Sequence, residues 1–283
     1  MNLIFYNNFH NGDIHYSREF VKDIINKTNF DKYFYNHQNH NTLLKDINIE
    51  YLQGKKYYDN SFNQKQIFND GIDIVVNTWI GQVNVKYLKK TNKSCSLYSN
   101  YEMFKDIYNY LKINIEKIEY YIPKIDWTYI NKLNIDNYIK NNNYKKVLIC
   151  NGVVLSGQCP QFDLNNIIEI LSNEFTNIDF IITDNKIKSK NIIYTGDIIQ
   201  QNKSDLNEIS YLSKYCDIII GRASGPFAFC HIRENFENKN KIFIGFTNNR
   251  YDSNWYEEVY CKQIWSDKYN NIYGEIKKQL MLL

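Results

Sequence analysis

Apolar positions in the first part of the chain fall into short runs cut by polar turns. Leu3–Tyr6 reads as a strand and Asn7–Gly12 as a turn. From Asp13 onward, Ile14, Val21, Ile24 and Ile25 share one helical face, which predicts a helix with Asp13 as its N-terminal cap. Residues 31–36 and 49–52 read as further strands, and Ile72–Trp79 as the main strand of this half, its continuous apolar run suiting a parallel strand covered on both faces. Residues 101–112 read as an amphipathic helix. The pattern weakens around Pro123, where a domain boundary is expected, giving domains 1–126 and 127–283.

Beyond the boundary, a helix-like stretch at 131–140 leads into regular alternation. Strand 147–151, helix 163–175, strands 178–184 and 191–196, helix 205–215, strand 217–221, helix 227–235 and strand 241–246 follow in turn, with a terminal helix from about 255 that is free to pack back on the first domain. Asp205 and Glu208 have the spacing of a capping box. Such alternation predicts parallel, doubly wound sheets, so the expected fold class is α/β with two Rossmann-like domains. Ligands of such sheets bind beyond the carboxyl ends of the strands, which directs the search for chemistry to the loops after strands.

Composition removes several classes of function. A net charge of +3, from 34 basic and 31 acidic residues, is too balanced for a nucleic-acid footprint. Lys86, Lys89, Lys90 and Lys93 form the densest basic cluster, a solvated face or a weak peripheral attraction to an anionic membrane surface. The six cysteines have neither CxxC nor metal-ligand spacing and read as buried thiols of a cytoplasmic protein. No apolar stretch reaches 18 residues and the first residues resemble no leader, so a soluble intracellular protein is expected. The phosphate-loop, dinucleotide, zinc-protease and nucleophile-elbow motifs are all missing, as is D-x-D, so no resident metal or cofactor is expected.

Three loops remain as candidates. Arg222–Pro226 follows a buried strand: Gly225 permits close backbone approach, Pro226 suits a first helical position, and the helix start beyond presents N–H groups to an anion, with Ser224 and Arg222 able to add bonds. The alternative is an ordinary tight turn with Arg222 facing water. His10, Gly12, Asp13 and His15 form the second group, a carboxylate between two imidazoles able to serve as a general base, or else a plain helix cap. Gly152, Ser156 and Gly157 lie in the third, a polar loop after a buried strand that either touches a ligand or only faces solvent.

Two of these stretches carry a resemblance. Residues 195–229, TGDIIQQNKSDLNEISYLSKYCDIIIGRASGPFAF, resemble the C-terminal signature of glycosyltransferase family 9, the heptosyltransferase-like enzymes, and Gly12-Asp13 is similar to that family's early G-D turn. The resemblance implies a GT-B fold, two Rossmann-like domains with their parallel sheets facing a central cleft. It implies a metal-independent, inverting transfer of a sugar from a nucleotide-sugar donor to a hydroxyl of a glycan or glycolipid acceptor. Asp13 would then be the base, with Gly12, His10 and His15 on the acceptor side. Gly152, Ser156, Gly157, Arg222, Ser224, Gly225 and Pro226 would hold the donor. The chain departs from the family at Ala223, where an acidic residue is usual, and at Ala228, where a histidine is common, His231 coming later. Two other readings share the architecture or the residues: a sugar-nucleotide 2-epimerase-like isomerase, and a non-catalytic glycan-binding protein.

Overall fold

The computed structural model describes residues 1–7, 10–37, 43–53, 66–79, 97–116, 121–154, 159, 162–200, 205–222, 225–246, 260–266 and 271–283. They form two compact units, one spanning Met1–Tyr129 and the other beginning at Ile130.

In the first unit the elements are β1 (Asn2–Tyr6), α1 (Asn11–Lys27), β2 (Tyr33–His37), β3 (Glu50–Gln53), β4 (Ile67–Asn69), β5 (Asp73–Asn77) and α2 (Leu97–Leu111). The sheet order is β3-β2-β1-β5-β4. All neighbours are parallel except β4, which pairs antiparallel with β5. Alternation does not foretell β4, a strand of three residues. A tight turn makes it: Gly71 takes φ +86°, and the Asp70 carboxylate accepts the N–H groups of Ile72 and Asp73 at 2.9 and 2.7 Å. Ile72 therefore sits in the turn, and the strand expected from it begins one residue later. Helix α1 also begins earlier than expected. His10 is its N-cap, accepting the Ile14 N–H at 3.0 Å, so Asp13 is the third helical residue and not the cap.

The second unit contains α3 (Leu133–Lys140), β6 (Lys145–Cys150), α4 (Leu164–Glu174), β7 (Ile178–Ile182), β8 (Ile192–Tyr194), α5 (Thr195–Ile199), α6 (Leu206–Ser213), β9 (Ile218–Arg222), α7 (Gly225–Phe229), α8 (Arg233–Phe236), β10 (Ile242–Phe246), β11 (Lys262–Ser266) and α9 (Ile272–Leu280). Its sheet is wholly parallel, in the order β11-β10-β9-β6-β7-β8. Counted within the unit this is the strand order of a Rossmann sheet. The unbroken apolar runs of β6, β7, β9 and β10 are buried on both faces, as such a sheet requires.

Four local expectations are corrected here. Asp205 precedes α6, but its side chain makes no capping bond. The helix expected over 227–235 is two short helices, because Ile232 is extended and the Asn235 side-chain amide donates to the Cys230 carbonyl at 2.8 Å. Arg222 ends β9 instead of lying in the turn after it. Instead of a terminal helix from 255, the described residues hold the parallel edge strand β11 and then α9, whose Ile272, Ile276 and Leu280 enter the core of this unit.

Candidate functional site

Each sheet has one place where the chain order reverses, and there the strand ends leave a crevice. In the first unit it lies between β1 and β5, in the second between β6 and β9. The candidate residues gather at these two places.

At the first, the Thr78 N–H donates to the Tyr6 carbonyl at 2.8 Å, carrying the β1–β5 pairing past the strand ends. The β1–α1 turn follows, and Asp13 lies in the first turn of the helix, only partly buried. Burial pushes its carboxyl up to about 7 against the lowering effect of a backbone hydrogen bond. A carboxyl that is half ionised near pH 7 suits a general base, which must lose its proton yet keep some basicity. Gly12 is likewise partly buried beside it.

His10 is half-buried, its N–H donating to Asn7 Oδ1 at 3.2 Å and its ring lying 4.4 Å from that of Trp79, tilted by 35°. Burial lowers its pKa, so the ring is neutral at pH 7. His15 does not join this group. It has no exposed surface, which removes it from the acceptor side expected of it. Two positions past Asp13, it lies on the helix face turned into the core.

Buried hydroxyls hold the first turns of α1 against the sheet. Tyr35 Oη lies 3.1 Å from Ser17 Oγ and 2.6 Å from Thr78 Oγ1. Ser17 donates to the Ile14 carbonyl at 2.8 Å, and Thr78 donates to the Tyr6 carbonyl at 3.0 Å. Farther along the helix, Arg18 is fully buried, paired with Asp46 and donating to the Leu43 carbonyl at 2.6 Å. Burial pushes the Asp46 carboxyl up, but the charges of Arg18 and Lys22 hold it below the usual carboxylate value.

In the second unit, Arg222 reaches from the end of β9 to the loop after β6. One terminal nitrogen donates to the carbonyls of Asn151 and Gly152 at 2.7 and 2.6 Å; the other donates to Phe162 O at 3.3 Å, with the guanidinium 5.3 Å from the Phe162 ring. The residue is 4% exposed. These bonds to protein carbonyls clamp the loop after β6 from the residue expected on the donor side. Asn151 ties the same loop to the chain just after β7, donating to Asp184 O at 2.9 Å and accepting the Asp184 N–H at 2.8 Å.

The glycines here differ in what surrounds them. A Cβ on Gly221 would lie 2.7 Å from the Phe227 ring and 2.9 Å from Cys150 Cβ, so its small size serves packing. A Cβ on Gly152 would meet nothing within 4 Å among the described residues. Gly225 and Pro226 open α7 and stay partly exposed, but α7 has only five residues, too few for the helix dipole expected of a longer helix. Ser156, Gly157, Ala223 and Ser224 lie outside the described residues. His231 is enclosed by Phe227, Phe236 and Phe243, and burial pushes its pKa down to about 3.

Sequence reasoning missed Trp79, Tyr35 and Asn151. Asn151 directly follows β6 and Trp79 comes two residues after the end of β5, both in loops after buried strands, where ligands of such sheets bind. Among the described residues no group of three or more His, Cys, Asp or Glu could hold a metal ion, and no helix is long and apolar enough to cross a membrane.

Two Rossmann-like sheets in one chain, each with candidate residues where its strand order reverses, define the GT-B class of fold. Solved structures similar to it include a glycosyltransferase family 9 protein from Veillonella parvula, at 11% identity and TM-score 0.55 over 98% of this chain and 90% of that one. The E. coli heptosyltransferase WaaC, solved with ADP, is similar at 7% identity and TM-score 0.53 over 100% and 97% of the two chains. The E. coli ADP-heptose heptosyltransferase II is similar at 10% identity and TM-score 0.50 over 100% and 98%. Likenesses at such identities show the fold. No family model matches the sequence, and no curated protein matches it.

Proposed function

We propose that the protein is a glycosyltransferase that moves a sugar from a nucleotide-sugar donor to a hydroxyl of a glycan or glycolipid acceptor, with inversion and without a resident metal. The observation that carries this reading is Asp13, a partly buried residue whose carboxyl burial raises to about 7, at the strand-order reversal of a GT-B-class first unit. Asp13 takes the proton of the acceptor hydroxyl as its oxygen attacks the anomeric carbon, and the nucleoside diphosphate leaves with the bonding electron pair. The loop held by Arg222 and the start of α7 receive that diphosphate, with the Gly225 N–H, a donor that Pro226 cannot supply, stabilising its growing charge. WaaC, with a similar fold, has been solved with ADP and with a fluorinated ADP-heptose, which supports a nucleotide-sugar donor here. No observation among the described residues favours the isomerase or the glycan-binding reading.

The test is calorimetry with a panel of nucleoside diphosphates and nucleotide sugars on wild-type protein and Asp13→Ala. Binding is expected in both proteins at similar affinity. Wild-type protein that binds none of the panel overturns the reading.

A further inference from the structure

The rings of Trp79 and His10 form a shelf beside Asp13, and we infer that this shelf receives the acceptor as a pyranose ring lying on its C–H face. The inference rests on the glycosyltransferase reading and adds to it the part of the acceptor that reaches the base. Three pieces of chain build the shelf. Strand β5 ends at Asn77, and the Trp79 N–H donates to Asn77 Oδ1 at 2.9 Å, so the strand end fixes where the indole starts. After β1, the His10 N–H bonds to Asn7 Oδ1 at 3.2 Å, and its ring lies 4.4 Å from the indole. His10 is also the N-cap of α1, with its carbonyl accepting the Ile14 N–H at 3.0 Å. Asp13 thus belongs to the same helical turn as one half of the shelf.

Both residues are partly exposed, and His10 caps the helical turn that carries the base. Such a surface suits one kind of ligand. A pyranose carries its hydroxyls around its rim and polarised C–H bonds on its faces; a π face accepts those C–H groups while the rim stays free for hydrogen bonds. Burial lowers the pKa of the His10 ring.

The test is saturation-transfer NMR with methyl β-glucopyranoside, methyl β-galactopyranoside and methyl α-mannopyranoside on wild-type protein, Trp79→Ala and Trp79→Phe, with thermal melts to confirm folding. Wild-type protein should saturate the protons of one ring face of at least one pyranoside. Trp79→Ala should weaken that binding about tenfold and Trp79→Phe should recover most of it. Equal saturation in wild-type and Trp79→Ala proteins, or none from any of the three sugars, overturns the shelf. If Trp79→Ala fails to fold, Trp79→Phe and His10→Ala decide, the first keeping and the second weakening the ring-face contact. Nucleoside diphosphate calorimetry on the same samples separates the two claims: nucleotide binding without ring-face contact removes the shelf alone, and ring-face contact without nucleotide binding removes the transferase reading alone.

Discussion

Asp13 is held in a state that is costly for the fold and useful for chemistry. Its carboxyl is raised from 3.8 to about 7 by burial. Because the folded value lies above the unfolded one, folding takes up a proton between about pH 4 and pH 7, and this group's contribution to stability falls as the pH rises through that window. Asp13→Asn is accordingly expected to melt at or above the wild-type temperature at pH 8 and with it near pH 4, a comparison that thermal melts across pH will make. The same substitution should lower transfer by roughly 10²–10⁴-fold. For the wild type, kcat/KM should climb with pH and level off above about 7. A rate that is flat from pH 5 to pH 9 would contradict the assignment of the base. Asp13 itself is legible in the sequence, as a carboxylate following a glycine after the first strand. What its neighbours do is not. His15 enters the core, while His10 and Trp79, 69 positions apart, meet ring to ring through a strand pairing that no local pattern announces.

At the level of elements, the loop after β6 is positioned by the strand beside it. Arg222→Ala removes the donors to the Asn151 and Gly152 carbonyls and is expected to cost about 2–4 kcal/mol of stability by thermal or urea unfolding. Under the proposed function it should also raise the donor KM while leaving the acceptor KM unchanged; a variant with wild-type donor KM would detach the clamp from the donor site. Gly221→Ala drives a methyl group into the Phe227 ring and Cys150, an overpacking of about 1–3 kcal/mol, whereas Gly152→Ala meets none of the described residues and should leave the unfolding midpoint close to wild type. The contrast between the two glycines is invisible in sequence, where both simply stand at strand ends. Arg222 is conspicuous among small residues, but the sequence does not say that β9 runs one residue further and turns the guanidinium onto carbonyls.

For the whole molecule, alternating strands and helices made the two α/β units and their parallel sheets legible, because buried parallel strands need continuous apolar runs. The edges were less so. β4 has three residues and depends on the Asp70–Gly71 turn, and β11 follows a stretch with no clear period. Edge strands carry less apolar surface, so pattern reasoning sees them last. Under the proposed function one unit supplies the base and the other receives the leaving nucleoside diphosphate. This division of roles is tested most directly by a crystal structure determined with a bound nucleoside diphosphate from the panel above. The diphosphate is expected beyond the ends of β6 and β9, against the backbone of Gly152 and Gly225, with Arg222 still bonded to the Asn151 and Gly152 carbonyls. A nucleotide seated elsewhere, with that backbone untouched, would contradict it.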